Sequence, residues 1–384
     1  MPPWRRDEGV VLVRTRGAVV TKAPGTYEVV DLEVDDPRQG EIRIQLVATG
    51  LCHSDDHVAT GDIPVPVYPI CGGHEGAGIV EAVGPNTPGF EVGDHVVTSF
   101  LPGCGRCRWC ASGMQNLCDL GANALIGTRL TDPTSHRMHL LDGSPVAQMC
   151  GLGTFAEHTT VDVNSAVKVG KDLPLDRVCL LSCAVGTGFG SVVNMAKVEA
   201  GDTVIVMGTG GVGMNAVQGA AAAGATYVVA VDPVAFKREK ALGLGATHAF
   251  AHIDEAADFA RSVTNGQGAD ATIVTVGVIS GEHVAQALAS IGKAGTVVVT
   301  ALGSGPEIGI PVSLGELTTF QKRIQGALFG GSRPSSDILR QAQMYREGKL
   351  RLDELITAEY TLDEVAKGYE DLHAGRNIRA IIRF

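Results

Sequence analysis

Residues 203–213 read Thr203-Val204-Ile205-Val206-Met207-Gly208-Thr209-Gly210-Gly211-Val212-Gly213. The first five are apolar or β-branched and predict a buried strand. Gly208-x-Gly210-x-x-Gly213 then makes a turn, and Val212–Ala223 continues as a helix of small residues. A glycine triplet alone is a weak signal, because glycines in turns are common. Here it follows a strand and opens a helix, the context that a dinucleotide fingerprint requires. The helix N-terminus would offer unpaired N–H groups and a positive dipole end to a pyrophosphate. A second strand, Tyr227–Val231, ends in Asp232, 19 residues beyond Gly213. A carboxylate there can accept hydrogen bonds from an adenosine ribose and repels a 2′-phosphate, which favours NAD over NADP. Gly208, Gly210, Gly211, Val212, Gly213 and Asp232 are therefore the cofactor candidates. The competing reading is a plain βα turn with a strand-ending Asp.

Working toward the C-terminus, strands are expected at Ala271–Val276 and Thr296–Leu302 with the helix His283–Ile291 between them. Such alternation means a parallel sheet with crossover helices, an α/β architecture. Ser335–Gly348 reads as a helix and Ala380–Phe384 as a closing strand. Toward the N-terminus the texture changes at about Ala184. Before it lie short β segments such as Glu41–Val47, Ala77–Val83 and His95–Ser99, broken by Pro-rich turns at Ile63–Pro69 and Pro85–Pro88. That pattern suits a β-rich domain with loop-borne chemistry. A chain of 384 residues is more than one core usually serves. The expected division is a first domain of residues 1–184 and 330–384 around a second of residues 185–329. There is no internal repeat and no low-complexity tract.

Hydrophobic residues at 45% and charged residues at 19% exclude a disordered chain. The formal charge of −11, with no lysine or arginine run, argues against nucleic acid as a partner. No segment approaches 18 uninterrupted apolar residues, so no membrane partner is expected. The apolar stretch Gly9–Val13 is too short for an export signal. A cytoplasmic location is expected, with the N-terminal dozen as a frayed extension.

Four of the nine cysteines fall within fifteen residues, as Cys104-x2-Cys107-x2-Cys110-x7-Cys118. Without an export signal, metal ligation is a better reading than disulfides. Four thiolates close a tetrahedral zinc shell and leave no position for a substrate, so this metal would be structural, holding a lobe at residues 100–120. An iron–sulfur cluster and free buried thiols remain alternatives. Cys71, Cys150 and Cys179 read as core thiols.

Two further turns carry metal-binding residue types: Cys52-His53-Ser54-Asp55-Asp56-His57 and Gly72-Gly73-His74-Glu75-Gly76. A catalytic zinc keeps three protein ligands and one open position, and two Cys with one His is an established set. Cys52, His74 and the distant Cys183 could supply it, although spacing alone does not select them.

With those two turns, the four-cysteine lobe, Cys183 with Thr187-Gly188, and Gly208–Gly213 in order, the chain resembles the zinc-containing medium-chain alcohol dehydrogenases over nearly its full length. Within them it looks most like the bacterial nicotinoproteins assayed with N,N-dimethyl-4-nitrosoaniline. Cys104–Cys110, Gln115–Ala122, Gln148-Met149-Cys150 and Val231–Lys237 carry that closer likeness. The resemblance implies a GroES-like β-rich catalytic domain split around a Rossmann domain with a doubly wound parallel sheet. It implies two zinc ions per chain, one catalytic and one structural, together with NAD(H). Cys52, His74 and Cys183 would hold the catalytic zinc, with Glu75 a near neighbour or transient ligand and Asp55 orienting His74. Ser54 would take the alcohol proton and pass it through the cofactor ribose to His57. His53 and Arg379 would contact the pyrophosphate, Lys237 the adenosine ribose, and Thr187 would pack near the nicotinamide. Phe100 would wall the substrate pocket.

The chemistry fits these residue types. Hydride leaves readily only from an alkoxide, and zinc lowers the pKa of a bound water from about 15.7 to about 7. Partners implied are a small alcohol or aldehyde, an external electron acceptor if NAD stays bound, and a second copy in a homodimer or homotetramer. Two readings compete: a thiol-dependent formaldehyde dehydrogenase of the class III type, on the length of Gly121–Cys150, and a non-catalytic NAD-binding protein. The segment Ile126–Asp142 itself reads as a surface loop with no assignable role.

Overall fold

The computed structural model describes residues 12–303 and 309–384. The expected N-terminal extension, apart from Leu12, lies outside them. The chain divides into two compact units. One runs to Cys183 and takes in Arg333–Arg346 and Leu352–Phe384; the other comprises Ala184–Ser332 and Glu347–Arg351.

In the second unit the described residues form a six-stranded parallel sheet. Its order is His248–Phe250, Tyr227–Val231, Thr203–Met207, Ala269–Val274, Ile291–Val299, Arg323–Gly326. Val204, Ile205, Val206, Val229 and Ile273 are almost wholly buried, as apolar runs covered by helices must be. The order reverses beside Thr203–Met207, and the glycine turn leaves the sheet at that point. Open α/β sheets bind ligands at such a reversal. Two strands begin earlier than expected, at Ala269 and Ile291. Charge and glycine disguised them: Asp270 sits inside the first, where its carboxylate accepts the Thr203 N–H at 2.8 Å. Gly292, Lys293 and Gly295 interrupt the second.

Among the described residues the first unit holds a seven-stranded sheet in which Glu41–Leu51 is central, paired with Gly76–Val83, His158–Asp162 and Arg379–Arg383. Beside it is a closed barrel of Leu12–Val20, Glu28–Asp35, Met138–Leu140, Pro145–Gln148 and Ile70–Cys71. The barrel corrects the reading of Ile126–Asp142 as a surface loop. Met138–Leu140 is a barrel strand, and Thr128, Arg129, Leu130, Arg137 and Met138 are buried. The partners of Arg129 and Arg137 lie about ninety residues earlier, beyond the reach of a local sequence signal. Arg129 pairs with Asp35 at 2.7 Å and with Glu41, Arg137 with Glu41 at 2.8 Å, and His139 with Asp35 at 3.1 Å.

Burial pushes the Glu41 carboxyl up, but the guanidinium groups of Arg137 and Arg129 more than offset it and hold it below its ordinary value. A depressed carboxylate contributes stability that is complete above its unfolded pKa of about 4.3 and is lost as pH falls through the lower folded value. Glu41→Ala should cost about 3–5 kcal/mol of unfolding free energy by leaving two buried guanidinium groups unpaired. Urea denaturation at pH 7 measures that loss. Glu41→Gln should also remove part of the acid-induced fall in stability below about pH 4.3.

Candidate active site and metal centres

Cys52 closes the long strand Glu41–Leu51 and caps the helix His53–Thr60. Asp55 and Asp56 fall in the first turn of that helix, where its dipole favours acidic groups. Gly61, with φ +92°, ends it. His74 and Glu75 lie between the strands Ile70–Cys71 and Gly76–Val83. Gly73 there adopts φ +85°, and a Cβ on it would overlap the Phe155 backbone nitrogen. Its N–H donates to Asp55 Oδ1 at 2.8 Å. Asp55 Oδ2 sits 3.0 Å from His74 Nδ1, a close pair bent away from a linear hydrogen bond. Asp55 therefore spans the two turns and leaves His74 Nε2 as the free ligand atom.

Cys183 arrives from about a hundred residues later through a polar clasp. Ser182 Oγ donates to the Gly76 carbonyl at 3.1 Å and lies 3.3 Å from Thr98 Oγ1, which in turn accepts the Gly76 N–H at 2.9 Å. Cys52, His74, Glu75 and Cys183 are all buried, and their ligand atoms lie within 4.8 Å of one another. Hydrogen bonding with Cys183 holds the Cys52 thiol well below its ordinary value, and the same contact holds Cys183 well above it. Burial pushes the Glu75 carboxyl up to about 7 against the pull of Arg379. Glu75 Oε2 is ion-paired with Arg379 Nη2, while Oε1 is buried without a hydrogen-bond partner among the described residues. Two thiols, an imidazole nitrogen and an orphaned carboxylate oxygen suit a divalent cation such as zinc.

The four-cysteine lobe meets an independent test. Cys104 Sγ is 3.9 Å from Cys110 Sγ, and Cys107 Sγ is 4.0 Å from Cys118 Sγ. These are far beyond a disulfide length of about 2.05 Å. They are near the edge of about 3.8 Å of a tetrahedron with zinc–sulfur bonds of about 2.3 Å. Backbone N–H groups of Cys104, Cys107 and Cys110 donate to the sulfurs of Cys118, Cys104 and Cys107 at 3.3–3.4 Å. Donors aimed at sulfur favour thiolates. Cys71, Cys150 and Cys179 are buried elsewhere, and burial pushes their thiols up, Cys150 to about 11.

Around the quartet, Ser54 Oγ is 3.8 Å from Cys52 Sγ, and the Phe100 ring stands edge-on to His74 at 5.7 Å. His53 is exposed and His57 is buried, their ring centroids 6.3 Å apart. Arg379 is the residue whose neighbour sequence reading missed. The resemblance aims it at a pyrophosphate, whereas within this unit its pairing with buried Glu75 is the contact on show. A strand charge gives no sign of a partner 304 positions away.

In the second unit the three motif glycines answer to different demands. Gly208 has φ +94°, and a Cβ on it would press on the Thr275 backbone at 2.9 Å. A Cβ on Gly213 would collide with the Gly208 carbonyl. Gly210 has an ordinary φ of −76°, and a Cβ there would meet no protein atom within 4 Å. Folding does not demand glycine at 210, which leaves open space at the N-terminus of the helix Gly211–Ala223. Asp232 is buried, with Oδ2 accepting the Thr209 N–H and Oδ1 the Val234 N–H, both at 2.9 Å. Each oxygen keeps a second acceptor site. Arg238, which sequence reading passed over, donates to the Asp232 carbonyl at 2.7 Å. Lys237 is half-buried without a polar partner for its ammonium group among the described residues. Thr187 is buried in the helix Ala184–Gly190, and Gly188 beside it lets that helix meet Val212 closely.

Residues 38–171 match the family model of the alcohol dehydrogenase GroES-like domain, and residues 211–343 that of zinc-binding dehydrogenases. The chain belongs to the zinc-binding alcohol dehydrogenase family. It is 50% identical to the NDMA-dependent alcohol dehydrogenase of Amycolatopsis methanolica over 370 residues, 96% of this chain and 99% of that one. It is 45% identical to alcohol dehydrogenase B of Mycobacterium tuberculosis, over 97% and 99% of the two chains. Among solved structures, benzyl alcohol dehydrogenase of Acinetobacter calcoaceticus superposes with a TM-score of 0.86 at 29% identity, covering 97% of this chain and all of that one. As a member of this family the chain is an oxidoreductase that uses zinc and a nicotinamide cofactor on a small-molecule alcohol. Both units have the expected architecture, the GroES-like β-rich domain and the Rossmann sheet.

Gly210→Ala should leave the melting temperature of cofactor-free protein within about 2 °C of the parent while weakening NAD binding about tenfold or more, since one methyl group displaces the ligand alone. Calorimetric titration with NAD on stripped protein measures both sides. A large loss of stability would mean that the fold, and not the ligand, requires the glycine.

Proposed function

We propose that this enzyme oxidises alcohols to aldehydes, reversibly, with hydride passing to an NAD that stays on the protein and is recycled by an external acceptor. We further propose two zinc ions per chain, one at the Cys52–His74–Cys183 site and one in the four-cysteine lobe, and a homodimer or homotetramer working in the cytoplasm. The buried quartet Cys52, His74, Glu75 and Cys183 with Ser54 beside it carries the reading. Half-identity with an alcohol dehydrogenase named for its dependence on NDMA supports an external acceptor.

When bound, zinc supplies a Lewis acid that lowers the pKa of an alcohol hydroxyl, and NAD supplies the hydride acceptor. The chain's own groups do the rest. Asp55 fixes the imidazole of His74 through Nδ1, as ligating histidines require. The Cys52 and Cys183 thiolates would offset the metal's charge, so that product aldehyde is not held too tightly. Arg379 holds Glu75 at the site's edge and keeps one carboxylate oxygen turned away. Ser54 Oγ takes the alcohol proton, and the buried His57 receives it on the way to solvent. Phe100 presents an apolar edge that keeps water from the reacting carbon. On the cofactor side, Gly208–Gly213 would cradle the pyrophosphate, Asp232 would take the adenosine ribose with Lys237 near it, and Thr187 would pack near the nicotinamide.

The thiol-dependent formaldehyde dehydrogenase reading rested on the length of Gly121–Cys150. The barrel strands and the buried arginines account for that length. Alcohol dehydrogenase class-3 of Cereibacter sphaeroides is also a more distant relative, at 34% identity. A non-catalytic protein has no need of an orphaned carboxylate oxygen among buried thiols.

Mass spectrometry of nucleotide released on denaturing protein purified without added cofactor should find close to one NAD(H) per chain. An empty protein would make NAD an exchanging cosubstrate. Elemental analysis should find two zinc ions per chain, and one in Cys107→Ser. Cys52→Ser should lower turnover about 10³-fold, the scale of several kcal/mol of Lewis-acid stabilisation, without unfolding the chain. Unchanged turnover would remove the zinc mechanism.

A further inference from the structure

The helix that begins at Cys52 ends in a turn whose geometry the mechanism above leaves unused. His57 lies in the last turn of His53–Thr60, and its side chain is only 6% exposed. Its carbonyl accepts two N–H groups from beyond the helix, Gly61 and Ile63, both at 3.0 Å. Gly61 reverses the chain with φ +92°. The reversal carries Asp62 back onto the helix, where its Oδ2 sits 3.2 Å from His57 Nδ1. Thr60 Oγ1 donates to the same oxygen at 2.9 Å and fixes its place. The Asp62 side chain is 42% exposed, so the pair joins a buried imidazole to bulk water.

The other charged groups of this helix are otherwise engaged. Asp56 is paired with His373 at 2.7 Å, and Asp55 with His74. The His53 ring is 6.3 Å away, tilted at 40°. Asp62 is the carboxylate in contact with His57. The Thr60 hydroxyl and His57 hold it below its ordinary value, so it is an anion at neutral pH. An anion accepts but does not donate, so it selects the imidazole tautomer with the proton on Nδ1 and leaves Nε2 as a bare acceptor.

We propose that Asp62 is a positioning residue of the proton pathway: it fixes the His57 tautomer with Nε2 free and stabilises the protonated ring. The inference rests on His57 being the proton acceptor proposed above. In alcohol oxidation one proton enters the ring at Nε2, giving an imidazolium paired with Asp62. The ring then gives that proton up from Nε2 to solvent, which returns it to the Nδ1–H tautomer held by Asp62 and restores the charge of both groups.

The test uses holoenzyme, benzyl alcohol as the substrate probe and N,N-dimethyl-4-nitrosoaniline as acceptor, with kcat measured across pH for the parent, Asp62→Asn, Asp62→Glu and His57→Gln. Loss of the anion destabilises the protonated ring. In Asp62→Asn the acid limb of kcat should therefore move to lower pH, and kcat at its plateau should fall about three- to tenfold as the base weakens. KM and bound NAD should stay at parental values. Asp62→Glu should restore most of the plateau and return the limb toward its parental position. A loss of fold would instead lower the plateau and the bound NAD together without moving the limb. If His57→Gln slows turnover while Asp62→Asn leaves both limb and plateau unchanged, the assignment to Asp62 is overturned and the His57 pathway stands. If His57→Gln has no effect, both fall.

Discussion

Cys52, His74, Glu75 and Cys183 come from three separate stretches of chain and are buried with their ligand atoms within 4.8 Å. Desolvating that many anionic or proton-binding groups is unfavourable by several kcal/mol per charge unless positive charge is brought among them. Arg379 supplies one such charge from the last strand, and the donor set suits a divalent cation as the second. Much of the first unit can be understood as the apparatus that meets this constraint. Ala48–Leu51 and Ala380–Arg383 pair in register, which places Arg379 beside Glu75. Gly50 must be glycine because a Cβ there would lie inside the Glu75 carboxylate. Tyr27 and Tyr369 donate to the carbonyls of Asp55 and Cys52, pinning the ligand-bearing turn from behind.

The two clusters of metal-binding residues solve different problems. In the four-cysteine lobe the ligands are close in sequence, and backbone N–H groups of the same loop neutralise the sulfurs. Such a site needs little from the rest of the protein and organises its own loop. The Cys52 site is the reverse: its ligands are distant, and side chains, not backbone amides, tune them. A closed thiolate shell suits structure, and a mixed shell with an open position suits chemistry.

What could be read from the sequence follows from the range of the interactions. The glycine turn, its flanking strand and helix, and the cysteine lobe are local, and their residues could be named from spacing. Cys183 could be nominated only by resemblance, because what brings it in is the Ser182–Gly76–Thr98 clasp, three small polar residues without a signature. Ile126–Asp142 read as a surface loop, since nothing in it reveals that Asp35 and Glu41 wait in the core for Arg129 and Arg137. Asp62 was passed over for another reason. As part of a Thr-Gly-Asp turn it reads as ordinary helix-ending chemistry, and its role depends on which way the turn folds.

The pairing of Glu75 with Arg379 also has a consequence for how the protein is made. The two residues are 304 positions apart, and the second unit is encoded between them. At synthesis rates of about 5–20 residues per second, Glu75 waits roughly 15–60 s on the ribosome before its counter-charge exists. The central sheet of the first unit lacks its Arg379–Arg383 strand for the same interval. The nascent chain must therefore carry an open sheet edge beside Glu41–Leu51 while the second unit is being translated. The part of the protein that is synthesised first is the part that finishes folding last, and chaperone demand during expression should follow from that order.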